Sequence, residues 1–178
     1  MSSSNGYTFE LTNTPFARDH ALHCLSMRPD DFVEYGKAIR QDTPNQTKYD
    51  LQNDHSLSFI LAYEGGQLMN QVGAVKVVDG GNTVFVQYGM TAPVNGGLSY
   101  VYGNLFLELL RFLSSEGYLR FSTTYQIGHP AAALYVYFSE AFPQYNFTFG
   151  LDGTVGKLTI YDLVYPPCTR VGNRGSPR

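Results

Sequence analysis

The middle of the chain alternates apolar stretches with glycine-containing turns, and this pattern constrains the fold more than any other feature. The runs 57–63, 71–78 and 83–88 are rich in β-branched and aromatic residues, which is typical of strands. The pairs Gly65-Gly66 and Gly80-Gly81 separate them. Glycine pairs supply the positive φ angles that tight hairpins need, so the three runs are predicted to form an antiparallel meander.

Helical and extended segments alternate through the second half of the chain. Apolar residues at 105, 106, 109, 110, 112 and 113 predict an amphipathic helix over 102–115, with Gly117 as its left-handed cap. A strand is predicted at 119–125, a helix at 130–141, and strands at 145–149 and 157–163. A meander that runs into a strand–helix–strand unit predicts an α/β fold. We expect a mixed, mostly antiparallel sheet of about seven strands with helices on both faces.

The N-terminal region is predicted to add one strand and two short helices. Residues 7–11 alternate apolar and polar side chains, which indicates a strand. Helices are predicted at 17–27 and 30–40, because Pro29 disfavours helix just before itself and suits a first helical turn. The polar stretch 41–54 is predicted to be a loop.

The length of 178 residues corresponds to one domain with a core of its own. We expect a flexible lead over 1–6, a single core over 7–165 and a tail over 166–178. Three arginines make this tail mildly basic, and it is expected to be either solvated or docked on a neighbour.

Composition excludes several classes of function. The 43% of apolar residues excludes a disordered chain, and a net charge of −3 supplies no basic surface for nucleic acid. No apolar run reaches the roughly 18–20 residues of a membrane span, and no signal peptide is evident, so we expect a cytoplasmic protein. Charged residues make up only 15% of the chain, so part of the surface is expected to be buried in a homo-oligomer or a larger assembly.

Cysteine and histidine spacing does not support a disulfide framework or a metal site. Cys24 and Cys168 form no CxxC pair and are predicted to be free thiols. His20 and His23 share a predicted helix at i, i+3 spacing beside Cys24. Two ligands without a distant third are insufficient, so no metal is expected.

The order of the predicted elements resembles that of the GNAT superfamily of acyl-CoA N-acyltransferases over residues 7–163. Residues 71–77 (QVGAVKV) resemble the third strand of that family, and residues 107–118 (LELLRFLSSEGY) its central helix and the turn that follows. Residues 136–142 (VYFSEAF) resemble its LYxKxGF segment. The resemblance implies transfer of an acetyl or other acyl group from acyl-CoA to an amine.

In that family, a glycine-rich loop after the fourth strand opens the central helix and binds the CoA pyrophosphate through backbone N–H groups. Counted from Pro93, the family's basic residue falls on Gly96 and its glycines on Gly97, Ser99 and Val101. Counted back from the helix, the last glycine of the family pattern falls on Gly103, two residues after Val101. Neither register contains Arg or Gln, so this loop departs from the family pattern.

The resemblance nevertheless implies a set of candidate acyl-CoA-binding residues. The fourth strand would hold the pantetheine arm through its backbone, and small residues of the loop would approach the pyrophosphate without a clash at Cβ. These candidates are Gly89, Thr91, Gly96, Gly97, Ser99 and Gly103. Tyr100 and Tyr102 add bulk among them, so an ordinary glycine-rich turn is the alternative interpretation.

The resemblance also implies that Tyr137 is a general acid that protonates the departing CoA thiolate. Tyr135 lies two residues earlier, and core packing is an alternative role for either ring. A general base is usual near the fourth strand, but residues 83–92 contain no Asp, Glu or His. Glu64 and Asp79 lie in predicted hairpin turns, where solvated carboxylates are expected.

Two hypotheses from different classes follow. The first is an acyl-CoA-dependent N-acyltransferase, which the order of the elements favours. The second is the same fold kept as a non-catalytic binding or structural module, such as a subunit of a larger assembly or of a virus particle. The altered loop and the low charge favour the second.

Overall fold

A computed structural model describes residues 6–26, 43–91, 98–125, 127–128 and 130–163. Its strands are β1 (Tyr7–Thr12), β2 (Ser58–Glu64), β3 (Gln67–Val78), β4 (Thr83–Thr91), β5 (Arg120–Tyr125), β6 (Asn146–Asp152) and β7 (Val155–Tyr161). Its helices are α1 (Pro15–Ser26), α2 (Thr43–Asn53), α3 (Leu98–Ser115) and α4 (Pro130–Ala141). No helix of this described part is long and apolar enough to cross a bilayer.

The strands form one seven-stranded sheet in the order β1-β2-β3-β4-β5-β7-β6. The pairs β1–β2, β2–β3, β5–β7 and β6–β7 are antiparallel. This confirms the predicted α/β fold with a mostly antiparallel sheet. The chain comprises two compact units: the first contains β1, β2, α1 and α2, and the second contains β5, β6, β7 and α4.

Helix α1 of the first unit begins at a sequence-encoded cap. The Ala17 N–H donates to the Thr14 hydroxyl oxygen at 3.2 Å, and Pro15 occupies the first turn, where it leaves no helical hydrogen bond unmade. Ala17 and Ala21 are fully buried and pack in one cluster with Phe59 of β2. The predicted helix 17–27 is thus confirmed with an earlier start, whereas the predicted helix 30–40 lies outside the described residues.

The predicted loop at 41–54 is wrong, because α2 occupies Thr43–Asn53. Among residues 46–53 of this helix, whose side chains the structure describes, only Thr47 and Leu51 are fully buried. This apolar stripe is too narrow to be visible in the sequence. The Arg18 side chain donates hydrogen bonds to the carbonyl oxygens of Leu51 at 2.5 Å and Asp54 at 3.0 Å. These bonds satisfy groups that the end of a helix leaves free, and they stabilise α2 from outside.

The second unit is built on an aromatic core. Phe106 of α3 stacks on Phe138 of α4 with ring centroids 5.1 Å apart, and it meets Phe121 of β5 edge-on at 5.5 Å. Phe147 of β6 lies 6.3 Å from the same ring. These contacts hold α3 and α4 on the face of the sheet that carries Phe121 and Phe147.

Helix α3 starts earlier than predicted and ends where predicted. Gly117 has a φ of +91°, a left-handed conformation that favours glycine. The Tyr118 N–H donates to the Leu113 carbonyl at 3.1 Å and the Gly117 N–H to the Ser114 carbonyl at 3.0 Å. This pair of bonds is a Schellman cap, so the predicted role of Gly117 is confirmed.

The first hairpin of the predicted meander is confirmed, and β2, β3 and β4 are neighbours in the sheet, with β3 and β4 longer than predicted. Gly65 and Gly66, with φ of 59° and 84°, form the two-residue turn between β2 and β3. Because this turn is so tight, β3 begins at Gln67 rather than at residue 71. Strand β4 continues to Thr91.

Candidate functional site

The candidate residues fall on β4, α3 and α4. Gly89 and Thr91 lie in β4, Ser99 and Gly103 in α3, and Tyr137 in α4. Gly96 and Gly97 lie outside the described residues.

The end of β4 leaves backbone accessible at Gly89. Gly89 is exposed, and a Cβ added to it would meet no atom within 4 Å. The strand ends two residues later at Thr91. A ligand can therefore approach the strand here along its main chain, which is where the resemblance implies that the pantetheine arm binds.

The start of α3 defines which N–H groups can face an anion. The helix begins at Leu98, and the first four N–H groups of a helix have no acceptor within it. The N–H of Ser99 belongs to this first turn, whereas that of Gly103 lies in the second turn and bonds inside the helix. No Lys or Arg occurs in residues 92–104, so this segment itself offers an anion only N–H groups and the helix dipole.

The two tyrosines of α4 have opposite environments. Residues two apart on a helix project about 200° from each other. Tyr135 lies 6.0 Å from Phe106 and 5.8 Å from Tyr125, inside the aromatic core. Tyr137 is 58% exposed, and its ring contacts Phe138 at 5.9 Å. The alternative role in core packing thus fits Tyr135, and Tyr137 is the one accessible to a ligand.

A carboxylate does lie at the fourth strand, although it comes from a distant helix. Asp50 of α2 accepts a hydrogen bond from the Tyr88 hydroxyl of β4 through Oδ2, at 2.5 Å. Its Oδ1 accepts a hydrogen bond from the Gln46 side-chain amide at 2.8 Å. Tyr88 immediately precedes Gly89. This dyad is not visible in the sequence, because the two residues are 38 positions apart and only tertiary structure joins them.

Contacts at the end of α2 hold Asp50 in place. Asp54 follows the helix and forms an ion pair with Lys76 of β3 at 3.2 Å. The Ser56 hydroxyl donates to the same carboxylate, and this bond, with the Ser56 N–H and Lys76, keeps the pKa of Asp54 below its usual value. Together with the bonds from Arg18, these contacts fix the helix one turn after Asp50.

The histidine and cysteine of α1 form a structural contact. His20 is buried, and its Nε2 donates to the Met69 carbonyl at 2.8 Å, so this nitrogen carries a proton and is not free to bind a metal. Cys24 Sγ lies 3.6 Å from the same nitrogen, and burial raises the pKa of this thiol to about 11. In the part of the chain that the structure covers, no group of three His, Cys, Asp or Glu is placed to hold a metal ion.

The two turn carboxylates have different surroundings. Glu64 is exposed at the β2–β3 turn, as expected. Asp79 has partners: the Thr83 hydroxyl donates to its Oδ2 at 2.8 Å, and Arg120 lies 3.6 Å from the same oxygen. The Arg120 Nε also donates to Thr83 at 3.0 Å. This cluster joins the start of β4 to the start of β5.

Comparisons by sequence identify no relative. No protein-family model matches the chain. No curated protein matches it either.

Solved structures share the fold across nearly the whole chain. A protein from Desulfovibrio desulfuricans, described as an acetyltransferase of the GNAT family, is 13% identical, with a TM-score of 0.51 over 88% of this chain and 99% of its own. An N-acetyltransferase from Staphylococcus aureus is 15% identical, with a TM-score of 0.53 over 88% and 99%. The PaiA N-acetyltransferase from Thermoplasma acidophilum, solved with coenzyme A, is 12% identical, with a TM-score of 0.52 over 85% and 98%.

This chain therefore has the GNAT fold. At 12–15% identity the likeness establishes the fold alone, and the chemistry has to be argued from the site.

Proposed function

We propose that this protein is an N-acyltransferase that transfers an acetyl or other acyl group from acyl-CoA to an amine. The observation that carries the proposal is the match of 85–88% of the chain to solved acetyltransferases, one of them in complex with coenzyme A. The open backbone at Gly89 and the start of an 18-residue helix seven positions after Thr91 support it locally.

The residues at this end of β4 fit an acyl-CoA. Main-chain groups of Gly89 and Thr91 would hold the pantetheine arm and polarise the thioester carbonyl. The glycines Gly96 and Gly97 and the first turn of α3 with Ser99 would receive the pyrophosphate, and Gly103 would keep the second turn free of bulk. An acyl-CoA, when bound, supplies a thioester carbonyl for attack and a thiolate as leaving group.

The Asp50–Tyr88 dyad supplies the base that the fourth strand lacks. The attacking amine must lose a proton as its nitrogen bonds to the acyl carbon. Tyr88 Oη accepts this proton while its own proton passes to Asp50 Oδ2, along a hydrogen bond that is already formed. The Gln46 amide orients the carboxylate through its other oxygen. Tyr137 then donates a proton to the sulfur of the leaving thiolate.

Calorimetric titration with acetyl-CoA tests the binding step. We expect a micromolar dissociation constant for the full chain. Gly97→Glu should abolish binding, because it places a negative charge and bulk at the pyrophosphate site. Thr154→Glu, in the exposed turn between β6 and β7, adds the same charge and should bind normally. Absence of binding by the unmodified protein at millimolar acetyl-CoA would contradict the proposal and favour the non-catalytic module.

Turnover with an amine found by screening for thiol release tests the acid. Tyr137→Phe should lower turnover roughly 10²–10⁴-fold, the usual contribution of general acid catalysis, and leave the affinity for acetyl-CoA largely intact. Tyr135→Phe keeps the half-buried ring and is the matched control, with normal turnover expected. Unimpaired turnover of Tyr137→Phe would remove this residue from the mechanism.

The dyad is tested by the same assay. Asp50→Asn and Tyr88→Phe should each lower turnover about 10²-fold or more. The double variant should be little slower than either single one, because the two residues act in one relay. Asp19→Asn, at an exposed position of α1, is the control. Normal turnover in both single variants would show that the dyad only attaches α2 to β4.

A further inference from the structure

Strand β6 forms one edge of the sheet, and in the described residues β7 is its only neighbour. Along the other side of an edge strand, main-chain N–H and C=O groups of alternate residues point outward. Such an edge is a template for another strand, and proteins either protect it or use it.

The apolar side of β6 continues past the core into solvent. The register places Phe147, Phe149 and Leu151 on one face, with Phe147 opposite Ile160 and Phe149 opposite Leu158. Phe147 lies 6.3 Å from Phe106 in the aromatic core and 6.5 Å from Phe149. Phe149 is 38% exposed and Leu151 is 74% exposed. The last apolar residue of the strand is therefore left almost uncovered.

The sequence of β6 is complementary to itself when it is read in the opposite direction. If two copies pair antiparallel about Phe149, then Phe147 faces Leu151, Thr148 faces Gly150 and Asn146 faces Asp152. Apolar residues meet apolar residues on one face, and polar or small residues meet on the other. Like charges face each other nowhere along the strand. One N–H of the Asn146 amide donates to the Asp162 carboxylate of its own chain at 3.1 Å, and the second N–H can donate to the Asp152 carboxylate of the other copy.

We propose that β6 is a dimerisation surface, which pairs antiparallel with β6 of a second copy of this chain and joins the two sheets into one. Each Leu151 is covered by the Phe147 of the other copy, which removes the largest apolar exposure on the strand. The pairing is isologous and closes at two copies, whereas pairing of β6 with the opposite edge strand β1 would continue without limit. The apolar residues of β1 are already buried or half-buried, so pairing at that edge would bury less additional apolar surface.

The mass of the full chain in solution tests the proposal. Sedimentation equilibrium at micromolar protein should give twice the chain mass of 19.8 kDa. Leu151→Lys should weaken the dimer at least tenfold, because the charge would lie against Phe147 of the other copy. It removes little packing from the monomer, and its melting curve checks that it folds. Val136→Lys, at an apolar position of α4 that is 50% exposed, is the matched control and should remain dimeric.

A second pair of variants tests the register. Asn146→Lys places a cation opposite Asp152 and should tighten the dimer, whereas Asn146→Asp places two carboxylates together and should weaken it. Both changes also alter the contact of residue 146 with Asp162 of its own chain, so the melting temperature of each variant in the monomeric Leu151→Lys background measures the effect on the monomer separately. Two symmetric cross-strand pairs change in each case, so a roughly tenfold shift in either direction is expected. A monomer at 100 µM in the unmodified protein, a dimer indifferent to Leu151→Lys, or growth into filaments would each overturn the proposal.

Discussion

Gly156 of β7 shows how tightly one backbone position can constrain packing. A Cβ built on it would lie 2.3 Å from Cε2 of the Tyr125 ring, far inside any real contact. Alanine must displace that ring, which contacts Tyr135 in the aromatic core. We expect Gly156→Ala to lower the free energy of unfolding by about 1–3 kcal/mol, as other overpacking changes do, measured by urea denaturation.

Gly150 of β6 is the matched control for this substitution. An added Cβ there meets nothing within 4 Å, so Gly150→Ala should be neutral or slightly stabilising. Because the clash involves Tyr125, the loss in free energy of unfolding caused by Gly156→Ala should be smaller in a Tyr125→Leu background. Equal effects of alanine at the two glycines would contradict the argument.

Cys24 is expected to be unreactive in the folded protein. The thiolate is the reactive form, and burial raises the pKa of this thiol to about 11. At pH 8 iodoacetamide should label Cys24 only after denaturation, as followed by mass spectrometry in a Cys168→Ser background. Because an unfolded thiol ionises near pH 8.5, the unfolded state loses its proton first, so Cys24 should reduce stability as pH rises from about 8.5 to 11. Labelling of the folded protein at the denatured rate would show that the thiol is accessible.

Helix α2 depends on a side chain from a distant helix. The Arg18 guanidinium donates to two carbonyls at the end of α2 and lies 5.1 Å from the centroid of the Phe59 ring. Arg18→Met should lower the free energy of unfolding by about 1.5–3 kcal/mol, the range for hydrogen bonds to charged groups. Amide hydrogen exchange within α2 should also be faster in the Arg18→Met variant. Lys48→Met, at an exposed position of the same helix, is the control, and equal effects would argue against a cap by Arg18.

The elements that sequence predicts well are those whose signal is local. The β2–β3 hairpin follows from Gly65-Gly66 between apolar runs, and the core helix α3 from a broad apolar stripe that Gly117 ends. Helix α2 was missed, because its stability comes from contacts such as the Arg18–Leu51 bond, which joins residues 33 positions apart. The position of the Asp50 carboxylate beside the fourth strand could not be predicted for the same reason, because it depends on a contact between residues far apart in the chain. Tyr137 could be placed on a helix from sequence, but only packing shows that Tyr135 faces the aromatic core and Tyr137 faces solvent.

At the scale of the whole molecule, few charges keep separate copies apart. The chain has 12 basic and 15 acidic residues, and its isoelectric point is near pH 5.7. Net charge opposes association between like molecules, and it vanishes at this pH. We expect a solubility minimum near pH 5.7, severalfold below the solubility at pH 8, measured by light scattering against protein concentration.

Two kinds of association can be separated by their dependence on pH and sequence. Loss of net charge acts over the whole surface, so added carboxylates at the exposed residues Gln52 and Thr154 should move the solubility minimum to lower pH. Strand pairing through β6 is a local contact made mainly by uncharged residues and should persist at pH 8, where repulsion is larger. Leu151→Lys should therefore abolish the dimer at pH 8 and still show a solubility minimum, shifted slightly upward by its added positive charge. A dimer that appears only near pH 5.7 would assign the association to low charge rather than to the strand edge.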